Sequence, residues 1–247
     1  MSLSFEGVTL AYDELIALDN LNLHVASGEA LAVIGPSGCG KSSMLRLAAG
    51  LAQPSAGTVA VDGKTLAGPR QETALILQDY GLLPWKTALA NAELGLVIQG
   101  VSADERRQRA LSALKRVDLE AFAQSYPRQL SGGMQQRLAL ARALALDATM
   151  LLMDEPLSAL DALLREELQN TLLTCWQEKR YTQVLVTHSI EEAVFLGQRI
   201  VVMAPRPGRV VACLDNPQMG SLDYRNEEAF FAQCRAVRAA LEGGARS

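Results

Sequence analysis

The segment from Gly35 to Ser42 has the residue types and spacing of a loop that binds nucleotide phosphates. It reads Gly35-Pro36-Ser37-Gly38-Cys39-Gly40-Lys41-Ser42 and fits the pattern G-x-x-x-x-G-K-[ST] at every position. Small residues let backbone N–H groups curl around phosphate oxygens, and the N-terminus of the following helix adds positive charge. Lys41 would reach the β- and γ-phosphates and Ser42 would hold Mg²⁺. We predict a nucleoside triphosphate site that extends to Ser43.

Other candidates for chemistry come directly after apolar segments that we predict to be buried strands. They are Gln78 after residues 73–77, Asp154 and Glu155 after residues 150–153, and His188 after residues 183–187. In open α/β sheets, ligands bind outside the carboxyl ends of the strands, so we expect these side chains near the phosphate loop. One carboxylate can bind a metal ion while the other addresses a water molecule. The alternatives are a solvated acidic turn and a structural histidine.

The elements that position these residues follow from hydrophobic periodicity. Residues 30–34 form a continuous apolar run, which is typical of a buried parallel strand, and residues 42–49 predict a helix closed by Gly50. Residues 3–10 and 18–25 alternate with a period of two, which predicts two antiparallel strands before the loop. Tyr12 lies between them on a predicted loop, where it could stack on a nucleotide base or be a half-buried loop tyrosine.

Helical periodicity replaces this pattern from residue 89 to residue 145. Ser102 and Glu105 predict a capping box there, and a basic helix face follows, which could contact a partner but is by default solvated. That face carries Arg106, Arg107, Arg109, Lys115 and Arg116. The region ends in Leu130-Ser131-Gly132-Gly133-Met134-Gln135, a glycine-containing helix start and a second possible anion site. We call residues 130–135 the signature segment.

The C-terminal part alternates strands and helices again. We predict a helix over 161–179, a capping box at Ser189 and Glu192, strands over 199–204 and 209–214 with a turn between them, and a terminal helix over 226–242. The resulting α/β fold has a mainly parallel sheet in a nucleotide-binding core, an antiparallel N-terminal part and an inserted helical subdomain. We expect one domain over 1–247, with the core at 1–86 and 146–215, helices at 87–145 and a helical tail at 216–247.

Composition narrows the possible partners and locations. The chain has 247 residues and a formal net charge of −4, which lacks the basic excess of a nucleic-acid-binding protein. We expect no nucleic-acid partner. No apolar stretch is long enough for an export signal or a membrane span. The four cysteines lack metal-ligand spacing, which favours reduced thiols in a cytosolic protein.

The order of these motifs resembles the ATPase subunit of ABC transporters. The discriminating feature is the signature segment, with Gln78 before it and His188 after it. The resemblance implies the fold of P-loop NTPases and assigns Tyr12 to adenine stacking and Lys41 to the phosphates. It implies that Ser42, Gln78 and Asp154 bind the metal ion and that Gln78 also positions the nucleophilic water. It implies that Glu155 is the catalytic carboxylate and that His188 contacts the γ-phosphate. The loop Ser158–Asp161 would face a second subunit.

In this family the signature segment of one subunit closes over the phosphate loop of another, so Ser131, Gly132, Gly133 and Gln135 would contact ATP held by a second copy. The resemblance therefore implies ATP and Mg²⁺ as cofactors and a homodimer formed on ATP binding. It also implies a separate permease in the membrane, an indirect solute-binding protein on the outside, and a cytoplasmic position on the inner face of the membrane.

Within the family, residues 78–85 and the segment Arg206-Pro207-Gly208-Arg209 look most like importers of nitrate, taurine and other sulfonates. Leu157-Ser158 stands where that branch more often has Phe-Gly, which leaves the substrate open. Leu83 and Trp85 would receive a helix of the permease, unless Trp85 fills the core instead. The competing functions are a soluble ABC ATPase acting on DNA or ribosomes, and a nucleotide-dependent interaction module without turnover.

Overall fold

The computed structural model describes residues 1–244, whose strands form two sheets. The strands are β1 (Leu3–Tyr12), β2 (Leu15–Val25), β3 (Ala30–Ile34), β4 (Ala56–Val61), β5 (Lys64–Thr65), β6 (Thr73–Ile76), β7 (Met150–Asp154), β8 (Thr182–Thr187), β9 (Arg199–Met203) and β10 (Val210–Asp215). One sheet is antiparallel, in the order β2-β1-β4-β5. The other has the order β10-β9-β3-β8-β7-β6 and is parallel except at β10. The predicted α/β fold is confirmed.

The helices lie between the strands of the larger sheet and after it. They are α1 (Lys41–Ala48), α2 (Ala88–Ala92), α3 (Leu94–Ile98), α4 (Ala103–Arg116), α5 (Gly132–Leu144), α6 (Ala162–Lys179), α7 (Ile190–Leu196) and α8 (Glu228–Gly244). Short 3₁₀ helices cover Glu120–Phe122, Pro127–Gln129 and Leu222–Asn226. Helices α2 to α5 all fall between β6 and β7, and we propose that they form a separate helical subdomain.

The larger sheet is central because both of its faces are buried. On β3, Leu31 and Val33 pack with α1 and the antiparallel sheet, whereas Ala32 and Ile34 pack with the residues of α2 and α5 to α7. A strand buried on both faces has to be apolar throughout, which is why residues 30–34 carry no polar side chain. The carboxyl ends of β3, β7 and β8 therefore lie side by side, and the loops that follow them meet at one edge.

Three local predictions are wrong in detail. Tyr12 is the last residue of β1 and not a loop residue. Ser102 is the N-cap residue before α4, but its side chain makes no capping hydrogen bond, and the Glu105 side chain pairs with Arg109 one turn later. At α7 only half of the capping box forms: the Ser189 hydroxyl accepts from the Glu192 N–H, but the Glu192 carboxylate turns away from Ser189.

Candidate active site

A cavity of about 290 Å³ lies between the phosphate loop and the ends of β1, β6 and β7. Its lining includes many, but not all, of the residues that the sequence suggested for the site; Asp154 and His188, for example, are not part of the lining. The suggested residues that do line it are Tyr12, Ser37, Gly38, Gly40, Lys41, Ser42, Ser43, Gln78 and Glu155. Leu15, Ala17 and Arg206 complete the lining and were not predicted. The structure therefore brings together residues separated by more than half of the chain.

The phosphate loop is held in a shape that only glycine allows at Gly40. This residue precedes α1 with φ of 96°, and a Cβ atom on it would lie 2.8 Å from the carbonyl oxygen of Ala17. The first turn of α1 leaves its backbone N–H groups without helical acceptors, and Ser42 and Ser43 of this turn line the cavity. The loop is therefore built to receive an anion at a helix N-terminus.

Lys41 lies inside the loop rather than in solvent. It is 6% exposed, and its ammonium group donates to the carbonyl oxygens of Gly35 at 2.7 Å and Pro36 at 3.0 Å. Cys39 is buried beneath the same loop, with its sulfur 3.7 Å from the ammonium nitrogen. A buried cation fixed by carbonyl groups is already positioned for phosphate oxygens.

Asp154 has the features expected of a metal ligand. It is 6% exposed, and its Oδ1 is buried without a hydrogen-bond partner among residues 1–244. Burial raises the pKa of Asp154 above its ordinary value, the nearby Ser42 hydroxyl lowers it, and the Glu155 carboxylate raises it. No cluster of three or more His, Cys, Asp or Glu side chains suited to a metal occurs in the described chain. One carboxylate and one hydroxyl fit Mg²⁺, which takes its other ligands from water and phosphates.

Glu155 and His188 meet at the ends of neighbouring strands. The Glu155 N–H donates to the Val186 carbonyl oxygen at 2.9 Å, which extends the pairing of β7 and β8 by one residue. Glu155 has φ of 49°, a left-handed conformation that is uncommon for residues other than glycine and that tends to occur at functional sites. His188 Nδ1 lies 3.2 Å from Glu155 Oε2, and Glu155 itself lines the cavity.

Glu192 is a buried ionisable side chain that interacts with the charge of His188 and that the sequence did not suggest for the site. It is 4% exposed, and its Oε2 accepts a hydrogen bond from the Thr187 hydroxyl, whose oxygen in turn accepts from the Ser189 N–H at 3.0 Å. Burial raises the pKa of Glu192 to about 7, although the Thr187 hydroxyl and the charges of Arg165 and His188 lower it. Glu192 therefore fixes the turn that carries His188.

The signature segment lies in a different depression, which is lined with residues of the loop after Glu155. Its lining residues are Ser131, Gly133, Met134, Arg137, Ala159, Leu160, Asp161 and Leu164. The Ser131 hydroxyl caps α5 by accepting from the Met134 N–H at 3.3 Å. Gln135 donates to the carbonyl oxygens of Pro127 and Leu130. This depression shares no lining residue with the nucleotide cavity.

Helix α5 contacts the loops after Glu155 and Gln78 through residues that no sequence pattern indicated. The buried Gln136 donates to the Glu155 carbonyl oxygen at 3.3 Å and accepts from the Ala159 N–H at 3.1 Å. Arg142, in the last turn of α5, donates to the carbonyl oxygens of Tyr80 and Gly81 just after Gln78. Both contacts join side chains to distant backbone atoms, for which the sequence has no local pattern.

Comparison with known proteins agrees with this geometry. The sequence profile described as ABC transporter matches residues 18–158. A taurine import ATP-binding protein, TauB, of Yersinia pestis is 43% identical over 99% of this chain and 93% of its own length. An uncharacterized ABC transporter ATP-binding protein of Methanocaldococcus jannaschii is 51% identical over 78% of this chain and 73% of its own length.

Solved structures give the same result. The MJ0796 bacterial ABC transporter cassette, described as dimeric, has a TM-score of 0.81 and 36% identity over 87% of this chain and 98% of the other chain. The same cassette in a post-hydrolysis state bound to ADP and Pi has a TM-score of 0.80. No helix within residues 1–244 is both long and apolar enough to cross a bilayer. With the profile, the relatives and the fold in agreement, the chain belongs to the ABC transporter family, as one of its ATPase cassettes.

Proposed function

We propose that this chain is the ATP-hydrolysing, energy-coupling subunit of an importer and binds Mg-ATP between two copies of itself. The observation that carries this proposal is the separation of the nucleotide cavity from the signature depression. Two chains arranged head to tail would bring each cavity against the signature segment of the other. The dimeric form of the MJ0796 cassette supports this arrangement.

The proposed chemistry is attack of water on the γ-phosphorus, which forms one P–O bond and breaks the bond to ADP. Glu155 accepts a hydrogen bond from the attacking water, which Gln78 helps to position. Lys41, His188 and the loop N–H groups face the charge that develops on the phosphate oxygens. Ser42, Asp154 and Gln78 would hold Mg²⁺, which neutralises phosphate charge. Tyr12 lines the cavity and is 44% exposed, and we propose that it stacks on adenine.

The loop after Gln78 is the proposed contact with the permease. Trp85 is 71% exposed, so the alternative in which it fills the core is wrong. Asn91 is fully buried and holds this loop: its amide N–H groups donate to the carbonyl oxygens of Leu83, Lys86 and Thr87, and its Oδ1 accepts from the Leu83 N–H at 2.8 Å. An exposed tryptophan on a fixed backbone is the kind of anchor that dominates protein interfaces.

The transported solute is proposed from the relatives. TauB of Yersinia pestis and TauB of Burkholderia pseudomallei, at 43% and 45% identity, are named for taurine import, so we propose taurine or a sulfonate-like solute, with nitrate as another candidate. A solute-binding protein would deliver it outside the cell. The cassette itself would act in the cytoplasm on the inner face of the membrane.

Reconstitution tests this function. The chain is purified with any permease and solute-binding protein that the neighbouring reading frames encode, placed in proteoliposomes, and supplied with taurine, an alkanesulfonate or nitrate. We expect ATP-dependent uptake of one of these solutes and stimulation of ATP hydrolysis by the loaded binding protein. A chain that hydrolyses ATP but binds no permease would overturn the importer assignment.

A further inference from the structure

The turn at residues 204–209 is packed directly under the nucleotide cavity. The Ala204 N–H donates to the Arg209 carbonyl oxygen at 2.9 Å, which closes the turn. Gly208 donates to the Ala17 carbonyl oxygen at 3.0 Å, and a Cβ atom on Gly208 would lie 2.0 Å from the Cys39 carbonyl oxygen. Only glycine permits that approach, so the turn has a fixed position against the phosphate loop.

Arg206 extends from this fixed turn to the cavity. Its Nε donates to the carbonyl oxygen of Gly38 at 3.3 Å, and its side chain lines the cavity with Tyr12 and Lys41. Arg206 forms no ion pair with a carboxylate in the described chain, whereas Arg209, three residues later, is paired with Asp19. One arginine of the turn is therefore neutralised, and the other leaves its terminal nitrogens available at the cavity.

The charges around the cavity favour a polyanion as the partner of Arg206. Among the described residues that line it, Lys41 and Arg206 are the cations and Glu155 is the carboxylate. Lys41 is a single compact charge, whereas a guanidinium group presents a planar set of donors that suits phosphate oxygens. The Gly38 carbonyl oxygen, to which Arg206 donates, belongs to the phosphate loop, so the guanidinium group of Arg206 lies on the phosphate side of the cavity.

We propose that Arg206 is a second phosphate-binding cation of this site and contacts the phosphate chain of bound nucleotide. The inference rests on the proposed binding of ATP in this cavity. From the sequence, residues 206–209 indicated only a turn and a branch of the family. A contact between Arg206 and the phosphate chain would give this segment a binding role. Because Arg206 meets the ligand in a single chain, its effect on affinity does not require a dimer.

The test is titration of single chains with Mg²⁺-adenylyl imidodiphosphate and with tripolyphosphate. Arg206→Ala should weaken both ligands by the same factor, roughly tenfold, the usual effect of removing a hydrogen bond to a charged group. Arg206→Lys should recover part of the loss. Arg209→Ala is the matched control, since it removes an exposed ion pair of the same turn, and its affinities should stay within about twofold of wild type.

Each other outcome overturns the proposal in a recognisable way. Loss of affinity for the nucleotide alone would place Arg206 against the base, and unchanged affinities with weaker dimerisation in light scattering would place it against the second copy. If wild type binds neither ligand, the proposed ATP site itself fails. Thermal unfolding of Arg206→Ala at the wild-type temperature shows that any loss of affinity is not a loss of fold.

Discussion

Nδ1 of His188 lies 3.2 Å from Oε2 of Glu155, so the residue after β8 contacts the carboxylate after β7. Their strands are neighbours in the sheet, and parallel strands end at the same edge. The pair is therefore assembled by the sheet and not by sequence proximity. A carboxylate next to an imidazole can accept a hydrogen bond from water while the imidazole faces the phosphate.

Glu155→Gln should bind ATP and accumulate as a dimer while losing turnover. The amide keeps the shape of the side chain but is a far weaker base, and we expect a loss of about 100-fold or more, roughly 3 kcal/mol of transition-state stabilisation. Phosphate release over time measures turnover, and Glu167→Gln, on the exposed face of α6, is the control. Hydrolysis by Glu155→Gln at the control rate would show that Glu155 is not the catalytic carboxylate.

Ser131→Arg should leave nucleotide binding to a single chain near normal and abolish turnover, because a bulky cation would occupy the space of the partner's γ-phosphate. Ser131→Ala is the comparison for size and charge: it removes the cap of α5, at a cost of about 1 kcal/mol, and the hydroxyl that would contact the partner's ATP, but it adds no bulk and no charge. Mixing Ser131→Arg with Lys41→Ala would restore one intact composite site. Turnover in the mixture that neither variant shows alone would demonstrate that one site uses residues of both chains. Wild-type turnover by Ser131→Arg alone would refute such shared sites.

Trp85→Ala should keep ATP hydrolysis and thermal stability but lose recruitment to the permease and transport. The chain has two tryptophans, and Trp176, 2% exposed, is the matched contrast. Trp176→Ala should lose about 3–5 kcal/mol of stability, as core Trp→Ala changes do. Thermal unfolding and co-purification with the permease separate the two effects. Early unfolding of Trp85→Ala together with normal coupling would show that Trp85 is not a docking residue.

Glu192 makes stability depend on pH. Its pKa is raised from 4.5 to about 7, so below 4.5 the carboxyl is protonated in both states and carries no penalty. As pH rises from 4.5 towards 7, only the unfolded chain loses the proton, and stability falls by roughly 3 kcal/mol in total before levelling off. Glu192→Gln should match wild type near pH 4.5 and exceed it at pH 8.

Urea unfolding of wild type and Glu192→Gln at both pH values measures this difference. Glu191→Gln, which removes the carboxylate at the neighbouring exposed position, is the control variant. The comparison of variants cancels the contribution of Asp154, whose pKa is also raised by burial. The same difference between Glu192→Gln and wild type at pH 4.5 and pH 8 would mean that folding does not raise the pKa of Glu192.

The sequence was sufficient to predict those parts of the candidate site that depend on a local motif or on the position where a strand ends. The phosphate loop follows from its own spacing, and Asp154, Glu155 and His188 follow from apolar segments whose carboxyl ends share one edge. Arg206 could not be predicted as part of the cavity, because its approach depends on Gly208 packing against a loop that is distant in sequence. The hydrogen-bond partner of Glu192 was predicted wrongly. The capping pattern predicts that its carboxylate accepts from the Ser189 N–H, but the buried carboxylate accepts from the Thr187 hydroxyl instead.

Asn91 has a consequence for the speed of assembly. Its side chain bonds to three carbonyl oxygens and one N–H around Leu83–Thr87, so the backbone beneath Trp85 is ordered before any partner arrives. Binding then does not have to immobilise a flexible loop, an entropic loss that each complex would otherwise suffer. The permease would meet a rigid contact surface, and association would proceed as docking of preformed parts, without a folding step at the interface.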